Sequence, residues 1–166
     1  RRETMDRLIL LLATLGPIGR KLPAPGTFGS LVGVGFYYLL LAPGAIDPAI
    51  IHSAFGILAL LSIPICGKAA RLLNKKDPQE VILDEFVAQP LVFLGVQWPA
   101  VLSVHSVCLV LGLGFALFRV LDILKPLGIG RLQYLPGGTG IVADDIAASL
   151  VAAPCLWWIC ANLPLS

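Results

Sequence analysis

FVAQPLVFLGVQWPAVLSVHSVCLVLGLGFALF, residues 86–118, contains no Asp, Glu, Lys or Arg. A helix needs roughly 20 residues to cross about 30 Å of hydrocarbon, so this run is too long for one spanning helix and short for two plus a turn. If two helices share it, with a break between Gly95 and Pro99, each must borrow residues from its charged end. That draws Asp84 and Glu85 on one flank, and Arg119 and Asp122 on the other, to the edge of a bilayer. Composition agrees: 57% of the 166 residues are hydrophobic, only 13% are charged, and the mean hydropathy of +0.89 lies outside the range of soluble domains. We expect an all-α polytopic membrane helix bundle, one domain over residues 1–166.

C-terminal to the run, Arg119, Asp122 and Lys125 follow one another at i, i+3 and i+6, which gives the acid a cation one turn away on either side. Pro126 then ends the helix. Such a triplet reads as a snorkelling, salt-bridged helix end or as a functional cluster, since ionisable residues at membrane depth are costly. GGTGIVADD (137–145) joins a glycine cluster to Asp144 and Asp145, which should begin a last apolar helix over about Ile141–Ala161. Glycines beside a helix start admit a phosphate close to backbone donors; an ordinary turn with N-terminal acids reads the same way.

N-terminal to the run, Asp84 and Glu85 point about 100° apart on a helix and can flank one ion, or serve as first-turn acids favoured by the macrodipole. Lys68–Glu80 is polar and carries Lys68, Arg71, Lys75 and Lys76. Before it, an apolar helix is expected over about Ala49–Cys66, kinked at Pro64, then a turn at 43–48 and a first span at 27–42 that Thr27 and Ser30 can cap. Residues 6–16 are too short to span and are expected to form an interfacial or re-entrant helix. Residues 1–5 read as a remnant or a disordered end, and the lack of a small-residue cleavage site after Leu15 argues against a cleaved signal peptide.

Five spanning helices would alternate the connections between two sides. One side then collects Arg1, Arg2, Arg7, Arg20, Lys21, the four cations of 68–76, Arg119, Lys125 and Arg131, and the other side none. By the positive-inside rule the basic side is cytoplasmic. The same alternation brings Thr27, Asp84, Glu85, Asp122, Asp144 and Asp145 to that face. Carboxylates, cations and helix starts at one depth are the materials of a metal and phosphate site, and hard oxygen donors favour Mg²⁺.

Other chemistries find little support. A net charge of +2 is too small for nucleic acid. Cys66, Cys108, Cys155 and Cys160 form no CxxC pair, and His52 and His105 sit singly in apolar stretches, where each reads as a packed, hydrogen-bonded residue. No P-loop or GxSxG motif occurs. An ion- or proton-coupled transporter would use the same acids but string charges through the bilayer depth. A structural subunit would leave five crowded acids to repel one another.

Taken together, PAPGTFGSL (23–31), LDEF (83–86), FRVLDILKP (118–126) and GGTGIVADDI (137–146) resemble, in order and spacing, the phosphatidylglycerophosphatase A family of bacterial inner-membrane lipid phosphatases. The resemblance runs from about residue 14 onward. It implies Mg²⁺-dependent hydrolysis of phosphatidylglycerophosphate to phosphatidylglycerol and phosphate, in a multi-pass protein whose site faces the cytoplasm and whose partners are its phospholipid substrate and membrane lipids. Carried over by position, the family's polar residues fall on Thr27, Ser30, Asp84, Glu85, Arg119, Asp122, Lys125, Asp144 and Asp145. The implied roles are metal binding for Asp84, Glu85, Asp122, Asp144 and Asp145, phosphate binding for Thr27, Ser30, Arg119 and Lys125, and catalysis for the five acids with Lys125. Two positions depart from the family pattern: Ala88 replaces a glycine, and KPLGI, with Gly128, replaces KPxPI.

Overall fold

The structure, a computed structural model, describes residues 2–98 and 103–163. Among these residues it is all-helical. The helices are α1 (Arg2–Ala13), α2 (Ile18–Lys21), α3 (Pro25–Leu41), α4 (Pro48–Leu72), α5 (Leu83–Ala88), α6 (Val104–Leu124) and α7 (Gly138–Asn162), with 3-10 segments at Gln89–Phe93 and Pro126–Tyr134. Helices α4, α6 and α7 are long and apolar enough to cross a membrane, and α3 is a shorter apolar helix of 17 residues.

Proline and small polar residues set the starts. Pro25 and Pro48 occupy first-turn positions, where a missing N–H costs nothing. The Asp47 side chain accepts from the Ala49 N–H at 2.7 Å, and Ser103 caps α6 by accepting from Ser106 N–H at 3.2 Å. Thr27 and Ser30, expected as caps, lie inside α3 instead; the helix starts two residues before Thr27, after Ala24 in the left-handed region. Helix α4 continues past Cys66, where the sequence turns charged. Gly67, Ala69 and Ala70 still face the interior there, while Lys68 and Arg71 point outward. It also runs through Pro64 as one continuous helix.

Residues 2–5, expected to be a remnant or disordered, belong to α1. This helix lies against α4, pinned by an ion pair from Lys68 Nζ to Asp6 Oδ1 at 2.7 Å, and leaves Met5, Leu8, Leu11 and Leu12 exposed. Its last carbonyl, on Ala13, accepts from Ile82 N–H at 2.9 Å, which fixes the entry to α5.

The largest departure lies where a third crossing was expected. Leu83–Trp98 is not one long helix: six α residues give way to five 3-10 residues, and Gly95 then takes a φ of +84°. The expected break at Gly95–Pro99 begins here, although Pro99 itself lies outside the described residues. Gln89 through Phe93 are all buried, so protein rather than lipid surrounds the irregular backbone, the condition under which such backbone is tolerated at membrane depth. The segment runs alongside α3 until Phe93 stacks on Tyr37, with ring centroids 4.8 Å apart. Trp98 Nε1 then donates to Tyr37 Oη at 3.0 Å, and that oxygen lies 3.2 Å from His52 Nε2.

Helix α7 packs against α4, α6 and the 3-10 segment through Ala148, Ala152, Ala153 and Leu156. It starts at Gly138, earlier than expected, so Asp144 and Asp145 stand in its second turn rather than its first. The early start depends on Gly138, where a β-carbon would come within 1.8 Å of the Ile63 carbonyl oxygen on α4.

Candidate functional site

Four chain ends of the fold meet around one cavity of about 390 Å³: the start of α3, the start of α5, the end of α6 and the second turn of α7. Thr27, Asp84, Glu85, Arg119, Asp122, Lys125, Asp144 and Asp145 all line it. Of the residues expected from sequence, Ser30 alone does not. It is fully buried behind the cavity, where its hydroxyl donates to the Gly26 carbonyl at 3.0 Å.

The carboxylates divide into two groups. Asp84, Glu85 and Asp145 each offer an oxygen within 4.8 Å of the other two. Asp122 and Asp144 are instead paired with cations. Asp122 Oδ2 accepts from Arg119 Nη1 at 2.8 Å, and Asp144 Oδ2 accepts from Lys125 Nζ. Arg119 Nη1 also reaches Ser30 Oγ at 3.4 Å, so the α3 hydroxyl helps hold the guanidinium in place. Lys125 can turn back toward α7 because it caps α6 in a left-handed conformation, φ +45°, immediately before Pro126.

Glu85 approaches α3 so closely that a β-carbon on Gly26 would lie 2.3 Å from Glu85 Oε1. Glycine at this position is therefore a condition for the acidic trio. Sequence reasoning attached the PAPGTFGS motif to Thr27 and Ser30 and missed this role. The proline-flanked glycine was the available signal, but only the position of Glu85 gives it meaning.

The site is electrostatically incomplete. Asp84 Oδ1, Glu85 Oε2, Asp144 Oδ1 and Arg119 Nε are buried without a hydrogen-bond partner. For Lys125, burial alone would lower the amine, but its bond to Asp144 and the surrounding acids outweigh this and raise it. Buried acids with unpartnered oxygens and oxygen-only donors fit a hard divalent cation held by Asp84, Glu85 and Asp145. The two cations beside them suit an anion with several acceptor oxygens, such as a phosphoryl group.

Comparison with known proteins agrees with this chemistry. The family model described as Phosphatidylglycerophosphatase A matches residues 11–160. The phosphatidylglycerophosphatase A of Escherichia coli K12 is 29% identical over 148 residues, covering 85% of this chain and 77% of its own length. That of Haemophilus influenzae is 33% identical over 134 residues, covering 78% and 75%. A chain from Bacteroides thetaiotaomicron, whose name points to a phosphatidylinositol 3-phosphatase, is 28% identical over 139 residues, covering 76% and 77%. No solved structure matches. With the match extending over nearly all of its length, the chain belongs to the phosphatidylglycerophosphatase A family, and is an enzyme that hydrolyses phosphate monoesters.

Proposed function

We propose that the protein hydrolyses phosphatidylglycerophosphate to phosphatidylglycerol and phosphate, with Mg²⁺, at the cytoplasmic face of a bacterial inner membrane. The observation that carries this reading is the acidic trio, in which Asp84 and Glu85 each bury an unpartnered oxygen, beside two cations and inside a cavity of about 390 Å³. The orientation rests on the basic residues of the N-terminal segment, residues 68–76 and residues 119–131, against none in 43–48. In this reading α3 and the broken Leu83–Trp98 segment are crossings too, five in all with α4, α6 and α7.

Asp84, Glu85 and Asp145 would hold the ion, which supplies polarisation of the phosphoryl oxygens and a lowered pKa for an attacking water. Arg119, fixed by Asp122 and Ser30, presents its remaining N–H groups to the equatorial oxygens. Lys125, fixed by Asp144, neutralises charge on the same group from the other side. Thr27 orients the phosphoryl group at the start of α3. Asp122 and Asp144 act through the cations they position. The acyl chains stay in the bilayer while the headgroup enters sideways.

The test is phosphate release in detergent micelles with and without Mg²⁺, for the parent, Asp84→Asn and Asp144→Asn at equal folded yield. Phosphatidylinositol 3-phosphate, the lipid in the third relative's name, serves as the competing substrate. Mg²⁺-dependent release that both substitutions abolish is expected. Release without metal, or none from folded parent, rejects the reading. The transporter alternative draws no support from the comparisons, since all three relatives are named as phosphatases.

A further inference from the structure

A second cavity of about 540 Å³ lies between the C-terminal half of α4 and the start of α7. It adjoins the carboxylate cavity, and Asp77 and Ile141 line both. Its walls change character along α4. Ile63 and Pro64 are apolar, whereas Arg71, two turns farther along the same helix, brings a cation, joined by Lys75 and Lys76 from the following loop. Lys75 is paired with Glu80. Arg71 makes no ion pair among the described residues, and Lys76 sits over the Tyr134 ring, 5.1 Å from its centroid, rather than against an acid.

We propose that this groove binds the bridging phosphodiester of the lipid whose terminal phosphate occupies the carboxylate site, and so selects headgroups that carry both. The inference rests on the function proposed above. Two observations support it. With Lys75 neutralised by Glu80 and one charge offset by Asp77 at the shared rim, Arg71 and Lys76 leave one net positive charge, which matches the single negative charge of a diester. The cations stand above an apolar wall, as the head of a lipid stands above its chains, an arrangement free phosphate does not need. The groove would fix the lipid while the carboxylate site acts on its end, as remote binding energy orients a reacting group.

Phosphatidylglycerol keeps the diester and lacks the terminal phosphate, so its binding tests the groove without turnover. Binding is measured in maltoside micelles, whose detergent carries no phosphodiester, for the parent, the Arg71→Gln/Lys76→Gln double variant, and Lys21→Gln as an exposed cation elsewhere. All three positions are exposed, so folding should be unaffected. We expect binding weaker by about tenfold or more in the double variant, since at least one charge-assisted contact is lost, and unchanged in Lys21→Gln. Equal affinity in parent and double variant overturns the proposal, as does an equal loss in Lys21→Gln. Displacement of phosphatidylglycerol by millimolar inorganic phosphate would assign the groove to free phosphate and overturn it too. In turnover, the double variant should raise KM for phosphatidylglycerophosphate about tenfold with kcat within about twofold. A parent that binds phosphatidylglycerol through the groove yet releases no phosphate sinks the proposed reaction and leaves the groove standing.

Discussion

At one end of the bundle, Asp84, Glu85, Asp144 and Arg119 each bury an atom with no partner. At the other, where the irregular segment ends, Tyr37, His52 and Trp98 satisfy one another through two hydrogen bonds and stack with Phe93. Both ends bury polar groups against apolar helices, yet only the second closes its network; between them Gln89 is buried with both amide atoms unpartnered. Unmet hydrogen bonds are expensive when buried, and several of them clustered with cations around one cavity suit a ligand, whereas a closed network suits scaffold. The aromatic end holds the broken Leu83–Trp98 segment against α3 and α4. The acidic end is held together by its own cations and, in the function proposed above, is completed by a metal ion and a phosphoryl group.

The comparison breaks most visibly if the acidic end does not need a cation. Removing one acid of the trio, Asp84→Asn, should cost more than about a thousandfold in kcat, since both metal placement and electrostatic stabilisation of the transition state go with it. The same substitution should raise the Tm of the metal-free protein by relieving crowded carboxylates, and shrink the Tm gain that Mg²⁺ produces in the parent. A Tm gain from Mg²⁺ of equal size in both proteins would show that the trio is not the ion's site.

Next in size, Arg119→Gln should lower kcat by about a hundredfold or more, the usual cost of one charge-stabilising donor. Ser30→Ala, which removes only a support of Arg119, should cost about tenfold. If the two substitutions cost the same, the hydroxyl does more than orient the guanidinium. Gly26→Ala should lower kcat by about tenfold to a hundredfold with Tm nearly unchanged, because the flexible Glu85 side chain can move away but then leaves the trio.

Tyr37→Phe inverts the pattern. It strands His52 and Trp98 donors or acceptors at the closed end and should lower stability by about 1–3 kcal/mol while kcat of the folded fraction holds. A loss of kcat with Tm unchanged would mean the aromatic end is no mere scaffold. The smallest effect belongs to the exposed Lys75–Glu80 pair, where Lys75→Gln should cost under about 1 kcal/mol. Its hydrogen bond from Lys75 holds Glu80 below the usual carboxylate range. The stabilisation is therefore present above the ordinary glutamate pKa and is lost as pH falls through the lowered one. Acid titration of Tm should differ between the parent and Lys75→Gln only in that acidic window.

Much of this was legible before any coordinates. Uncharged runs of given length determined that the chain is a helical membrane protein, because hydrocarbon thickness sets a residue count and charges cannot sit within it cheaply. Placing Asp84, Glu85, Arg119, Asp122, Lys125, Asp144 and Asp145 near one level followed from the same depth argument, and the structure does gather them around one cavity. What only the tertiary structure decided is which of them touch. Asp84 and Glu85 meet Asp145 across the bundle, while Asp122 and Asp144 are taken by Arg119 and Lys125. Pairing of that kind depends on helix rotation and separation to within an ångström or two, and no period along the chain encodes it. The break in Leu83–Trp98 was hidden for a related reason: an apolar run signals burial, but whether its backbone stays helical depends on whether lipid or neighbouring protein surrounds it.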